Sequence, residues 1–122
     1  PETGEDGPTH QGLYWTSLYQ ALPGIKVYKP TDANETIEML FYALEKGEPI
    51  IISLARPNTT VWDRTIYPAA KEATNGAYVF KEYNKNNLPK KVLIVSGPMI
   101  LENTIAALPE LEKKYNFKML TT

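Results

Sequence analysis

One pattern restricts the fold more than any other: a capped amphipathic helix leads directly into a continuous run of branched apolar residues. Asp32 is a typical N-cap residue with Glu35 three positions later. The apolar residues of the helix then recur at three- and four-residue spacing, at Ile37, Leu40, Phe41 and Leu44. Gly47 is suited to end this helix, and the following run IIISL (50–54) is typical of a strand buried on both faces of a parallel sheet.

Helical and extended patterns alternate along the rest of the chain. A short helix that ends at Pro23-Gly24 precedes a strand over 25–28, and further strands are predicted at 92–95 and from Phe117 onward. Between the last two lies a helix with the apolar face Leu101, Ile105, Leu108 and Leu111, in which Pro109 predicts a kink or a restart. This alternation predicts an α/β fold with right-handed crossovers and with its chemistry at the carboxyl ends of the strands.

The periodicity weakens between Arg56 and Asn75, where several prolines and asparagines interrupt any long element. We interpret this stretch as a surface connection in which Trp62 anchors the loop. The sequence predicts a domain boundary near 75–83, with the carboxyl-terminal part of one α/β domain at 1–75 and a linker and the start of a second domain at 76–122. Because a strand begins at the last residues, we expect that second unit to be incomplete here.

Composition excludes several classes of function. Thirteen basic and fourteen acidic residues give a net charge of -1, which provides no field for nucleic acid or for an anionic membrane. There is no cysteine and only one histidine, His10, so disulfides, thiolate nucleophiles and multi-histidine metal sites are excluded. No apolar stretch approaches the roughly 20 residues that span a bilayer, and no signal peptide is visible. We therefore expect a cytoplasmic protein.

Three residues are candidates for ligand binding. Asp6 and His10 lie in the octapeptide GEDGPTHQ before the first predicted helix, where a helix amino terminus favours anionic or hydroxylated ligands. An ordinary N-cap turn is the alternative for an isolated Asp-Gly-Pro-Thr string. Arg56 follows the buried strand at its carboxyl end, the position where ligands gather in open α/β sheets. Its alternative is a surface ion pair.

The octapeptide resembles the signature of the transketolase family, at the substrate mouth of its pyrimidine-binding domain. The family's next strand, proline-ended turn and helix are similar to LPGIKVYKPTDANET in this chain. Its following buried strand, which ends in an arginine, is similar to PIIISLARPN. NGAYVFKEY and VLIVSGPMILENTIAALPELEKKY resemble the passage into the family's carboxy-terminal domain. The similarity covers nearly the whole chain and implies a three-layer α/β/α domain with a mostly parallel sheet, followed by the opening of a second α/β domain.

This resemblance implies a function for the complete protein: transfer of a two-carbon ketol unit between sugar phosphates, in the pentose phosphate pathway, with thiamine diphosphate and Mg²⁺. Asp6 is implied to contact a sugar hydroxyl, while His10 and Arg56 hold the phosphate. These roles suit a hydrogen-bond-accepting carboxylate, an imidazolium donor and a guanidinium fork. The family's diphosphate and metal site and its catalytic glutamate lie outside this sequence, so we expect the chain alone to be inactive. Family members build the cofactor site between two subunits, so the resemblance implies a homodimer for the parent.

Three alternatives stay open. Gly12, where transketolases usually have proline, is closer to deoxyxylulose phosphate synthase. A homodimeric 2-oxo acid dehydrogenase E1 component shares the cofactor, whereas Glu5 and the ending Arg56-Pro57-Asn58 favour transketolase. A noncatalytic interaction module that docks to a partner subunit is the alternative outside the enzymes, because the main cofactor-binding residues are missing.

Overall fold

The computed structural model describes Gly12 and residues 14–122. Helices and strands alternate over most of this range, and they are joined by one long irregular segment between the second and third strands. The elements in chain order are α1 (Trp15–Gln20), β1 (Lys26–Tyr28), α2 (Ala33–Lys46), β2 (Ile50–Ile52), a 3-10 helix (Ala70–Asn75), β3 (Tyr78–Lys81), β4 (Lys90–Val95), α3 (Pro98–Leu111) and β5 (Asn116–Thr121).

The strands form two separate sheets. In the first, β1 and β2 pair in parallel, with Val27 opposite Ile51. In the second, β5 lies between β3 and β4, parallel to β4 and antiparallel to β3. The predicted α/β class is therefore confirmed, and the second sheet is mixed. The three-layer arrangement and the domain limits 1–75 and 76–122 stay predictions.

The first sheet is less buried than the sequence pattern predicted. The three isoleucines of β2 are only half-buried, and Leu54 beyond the strand is 64% exposed. The expectation of burial on both faces is thus wrong for the described residues. The reason is that β2 pairs with β1 along one edge of a two-stranded sheet, and a β-branched run cannot by itself specify how many neighbours cover it.

Helix α2 has the predicted ends but an unexpected orientation. The Asp32 side chain accepts a hydrogen bond from the Glu35 N–H at 2.9 Å, and Gly47 ends the helix with a φ of 64°, a conformation that favours glycine. The helix buries Met39 and Ala43. Its regular apolar positions are instead exposed in the described structure, at Ile37, Leu40, Phe41 and Leu44.

The segment between β2 and β3 is more than a surface connection, which corrects the sequence interpretation. Trp62 anchors it as predicted and is only 8% exposed. The Trp62 ring meets Tyr67 and Phe80 edge to face, and Tyr67 stacks on Phe80 with centroids 4.6 Å apart. Ala73 of the 3-10 helix is buried in the same core as Met39. Aromatic packing of this kind brings α2, the connecting segment and β3 together.

Pro109 does not restart α3. The helix continues from Pro98 to Leu111, and Pro109 lies in its last turn. A proline there removes one intrahelical donor close to the helix end and leaves the preceding turns intact. Leu101 and Leu108, from the predicted apolar face, are buried.

Leu101 provides a test of this core. Its side chain is fully buried, whereas the neighbouring Ile100 is 51% exposed. We expect Leu101→Ala to lower the free energy of unfolding by about 2–5 kcal/mol, because it removes transfer energy and leaves a cavity. Urea unfolding followed by circular dichroism measures the change. Ile100→Ala is the matched control and should cost less than about 1 kcal/mol; equal losses for both variants would contradict the packing of α3.

Candidate functional site

A cleft of about 340 Å³ lies where β1 and β2 end. Because these strands are parallel, with Tyr28 opposite Ile52, their carboxyl ends meet at one edge of the sheet. The Ser53 N–H extends the pairing by donating to the Tyr28 carbonyl at 2.8 Å. The cleft walls come from both strand exits, from the start of α2 and from the first residue of α3, with lining residues that include Pro30, Thr36, Leu54, Ala55, Thr59 and Pro98.

Arg56 lies beside this cleft along the chain, between the lining residues Ala55 and Thr59, and it is exposed. This is the strand-end position that the sequence predicted. Asp6 and His10 lie outside the described residues, so the structure does not show whether the three candidates converge. Their roles stay predictions.

The cleft adjoins a buried carboxylate, Asp32, whose hydrogen bonds join distant parts of the chain. Beyond capping α2 it accepts the Trp62 N–H at Oδ2, 3.0 Å away. The Arg64 guanidinium donates to its Oδ1 at 2.8 Å. The Asp32 side chain is fully buried, so these donors compensate for the hydration that it loses on folding.

Glu35 forms the second half of the same cluster. Its Oε2 accepts the Thr31 N–H at 2.8 Å, one residue before the cap, while its Oε1 lies 3.3 Å from Arg64. The Tyr78 hydroxyl donates to Oε1 and accepts from Arg64 at 3.1 Å. We call Asp32, Glu35, Arg64 and Tyr78 the buried polar cluster. It joins the start of α2 to the connecting segment and to β3.

Sequence reasoning found only part of this cluster. Asp32 and Glu35 were visible as a capping pair because both partners lie within one helical turn. Arg64 and Tyr78 are 29 and 43 residues from Glu35, in stretches without periodicity, so no local pattern pointed to them. The only hint of such a partner in the sequence is general: two carboxylates that become buried require a cation somewhere in the chain.

The cluster also shapes the electrostatics of the cleft. Asp32 is the one carboxylate among the residues that line it in the described structure, and its charge is compensated by Arg64 and by two backbone N–H groups. Among the described lining residues, the carboxylate that an anion in the cleft would face is thus paired with a cation. The arrangement is suited to holding a polar or anionic ligand beside Arg56.

The resemblance also implies a thiamine diphosphate and Mg²⁺ site. In the described part of the chain, no three or more Asp, Glu and His side chains are grouped so that they could hold a metal ion. Asp32 and Glu35 both pair with the Arg64 guanidinium. These residues do not fit a diphosphate–metal site. None of the helices over 14–122 has the length and apolar character that crossing a bilayer requires.

The buried polar cluster predicts a large effect for Arg64. In Arg64→Met two buried carboxylates lose their cation, and we expect the free energy of unfolding to fall by about 3–5 kcal/mol. Lys113→Met is the matched control, because its ion pair with Glu110 is exposed and should contribute less than about 1 kcal/mol. Urea denaturation of both variants measures the difference. A loss for Arg64→Met no larger than that of the control would contradict the cluster.

Tyr78 predicts an alkaline pH dependence. Burial, followed by the hydrogen bond to Glu35, raises the pKa of Tyr78 above its ordinary value of 10.0. A group whose pKa is raised by folding stabilises the native state fully below its unfolded pKa, and the stabilisation is lost as the pH rises above about 10. Tyr78→Phe should thus be less stable than the unmodified protein at pH 8, and the difference should narrow by pH 11.

Urea unfolding of both proteins at the two pH values measures this change. Tyr115→Phe is the control, since Tyr115 is 38% exposed and makes no hydroxyl contact of this kind in the described structure. A stability difference for Tyr78→Phe that is constant between pH 8 and pH 11 would contradict the raised pKa.

The chain is similar to known proteins over nearly its whole length. A family model, the transketolase pyrimidine-binding domain, matches residues 2–61. The chain is 33% identical over 112 residues to the chloroplastic transketolase of Solanum tuberosum. This alignment covers 91% of the present chain and 15% of the Solanum tuberosum protein. It is 35% identical over 95 residues to the transketolase of Bacillus subtilis, covering 77% of this chain and 14% of that protein.

Solved structures give the same result for the fold. Transketolase from Leishmania mexicana superimposes with a TM-score of 0.81 at 25% identity, over 99% of this chain and 17% of that one. A mutant of Pichia stipitis transketolase in complex with fructose 6-phosphate superimposes with a TM-score of 0.76 at 27% identity. This superposition covers 97% of the present chain and 17% of the Pichia stipitis chain. The chain thus spans about 15% of the length of the relatives it matches. It belongs to the transketolase family.

Proposed function

We propose that the complete protein carrying this chain transfers a two-carbon ketol unit between sugar phosphates, and that the chain supplies the phosphate-binding end of the substrate site. Its curated relatives are transketolases. The Pichia stipitis neighbours are described in complex with fructose 6-phosphate and with sedoheptulose 7-phosphate. Those ligands share a phosphate at one end of a polyhydroxylated chain.

The observation that carries this proposal is the position of Arg56. It follows the carboxyl end of β2 and is flanked in sequence by Ala55 and Thr59, which line the 340 Å³ cleft. A guanidinium presents donors in a planar fork that matches two phosphate oxygens. The charge of Asp32, the carboxylate nearest to this position in the lining, is compensated by Arg64. Arg56 therefore favours phosphate binding there.

Asp6 and His10 complete the proposed substrate site. Asp6 accepts a hydrogen bond from a sugar hydroxyl, and a protonated His10 donates to the phosphate together with Arg56. These three residues bind and orient the sugar phosphate and do not form or break carbon–carbon bonds. The family match supports this assignment because residues 2–61 include all three positions.

Thiamine diphosphate supplies the carbanion chemistry in this family, and we propose that the complete protein uses it with Mg²⁺. Most residues for the cofactor lie outside this chain according to the resemblance, so the chain alone does not turn over. A homodimeric parent and a cytoplasmic location are part of the same proposal. Donor choice separates it from the alternatives: ketose phosphates are consumed by a transketolase, and pyruvate by deoxyxylulose phosphate synthase or a dehydrogenase E1 component.

Arg56→Ala in the complete enzyme tests the phosphate role. We expect the KM for a ketose phosphate donor to rise roughly 10- to 100-fold, because a hydrogen bond between charged groups contributes about 1.5–3 kcal/mol. The KM for the same ketose without phosphate should change less than about threefold. Steady-state kinetics with both donors measures the split.

Two further variants make this test sharper. Arg56→Lys keeps the charge and loses the fork, so its KM for the phosphorylated donor should lie between those of the unmodified enzyme and Arg56→Ala. Lys85→Ala, in the exposed loop before β4, should leave both KM values unchanged. Equal increases for phosphorylated and unphosphorylated donors in Arg56→Ala would exclude a phosphate contact.

A further inference from the structure

Helix α3 reaches the cleft from the second sheet, and one of its side chains holds the segment that carries Arg56. Pro98, the first residue of α3, lines the cleft. One turn further on, Glu102 Oε1 accepts the Thr60 N–H at 2.5 Å. We propose that Glu102 is a positioning residue, which fixes the Arg56 segment for phosphate binding. This inference rests on the proposed function.

The Arg56 segment needs such a support because it has no regular structure. After β2 the chain runs from Ser53 to Trp62 without a helix or strand. Its first end is fixed by the Ser53 N–H to the Tyr28 carbonyl, and its other end by the Trp62 N–H to Asp32. Arg56 lies between these anchors. The bond from Thr60 to Glu102 adds another anchor, four residues from Arg56.

Glu102 is itself held in place by its helix. The adjacent Leu101 is fully buried in the core. At the start of α3, Gly97 has a φ of 85°, and a side chain added there would meet Lys29 Cε at 2.5 Å. The Lys29 side chain, from the end of β1, therefore lies close against the turn into α3. These contacts make α3 a fixed support from which Glu102 reaches across to the segment.

The Glu102 carboxylate binds the Arg56 segment and does not cap its own helix. The first turn of α3 contains no acidic residue, and Glu102 lies beyond it, where interaction with the helix dipole is weak. The hydroxyl of Thr60, followed by its backbone N–H, lowers the pKa of Glu102. The carboxylate is therefore ionised at neutral pH, the state in which it accepts hydrogen bonds most strongly.

Substitution in the complete enzyme tests this role. For Glu102→Ala we expect the KM for a ketose phosphate donor to rise roughly three- to tenfold, because the lost hydrogen bond is exposed and acts on phosphate binding only through the position of Arg56. We expect kcat and the KM for the unphosphorylated ketose to change less than about twofold. Glu102→Gln keeps an acceptor oxygen and should restore most of the loss. Glu110→Ala, an exposed glutamate of the same helix, is the control and should change neither KM.

Amide hydrogen exchange of the same proteins without substrate is the second readout. Glu102→Ala should accelerate exchange of the Thr60 amide several-fold, and Glu110→Ala should not. A ketose phosphate KM that is unchanged in Glu102→Ala, or that rises equally for both donors, would overturn the positioning role. So would an unchanged exchange rate at Thr60.

The variants at Arg56 and at Glu102 separate two kinds of failure. If Arg56→Ala is selective for the phosphorylated donor and Glu102→Ala is not, the proposed function stands and the positioning role is wrong. If Arg56→Ala is not selective, the proposed phosphate site fails, and Glu102 then has no phosphate-binding residue to position. A selective effect in both variants, with recovery in Glu102→Gln, supports the inference.

Discussion

The Asp32 carboxylate is the group on which the rest of the structure depends. It starts α2 through the Glu35 N–H, fixes Trp62 through its backbone N–H, and pairs with Arg64. A carboxylate removed from water is costly unless each lone pair finds a donor, so the position of the connecting segment is coupled to that of the helix. Through Tyr78 and Glu35 the same coupling extends to β3 in the second sheet.

This coupling explains how a ligand site forms at an otherwise open edge. The first sheet has two short strands, which alone define only the direction in which Arg56 leaves β2. The cleft becomes a concave site because Asp32, Thr59 and Pro98 come from three different parts of the chain. The bond from Trp62 to Asp32 and the bond from Thr60 to Glu102 of α3 both constrain the segment 53–62 that carries Arg56. The proposed phosphate site thus depends on contacts from both sheets.

Helix α2 shows where a pattern in the sequence is informative and where it is not. The spacing of Ile37, Leu40 and Phe41 correctly predicted a helix, because periodicity reflects local geometry. In the described structure those residues are exposed, while Met39 and the charged Glu35 are buried. Burial of Glu35 depends on Arg64, which pairs with it, and on Tyr78, which donates to it, and both lie far away in sequence. Hydrophobic spacing contains no information about such partners.

The sequence by itself determined the α/β alternation, the cap at Asp32, the glycine end of α2 and the position of Arg56 at a strand end. Each depends on interactions within a few residues, whose geometry is the same in any fold. Only the tertiary structure decided the partners of the buried carboxylates, the burial of the connecting segment, the uninterrupted helix through Pro109 and the bond between Thr60 and Glu102. The carboxylate partners, the burial of the connecting segment and the Thr60–Glu102 bond involve residues far apart in sequence, and their stability comes from desolvation and packing that exist only once the chain is folded. Pro109 is tolerated because it lies in the last turn of α3.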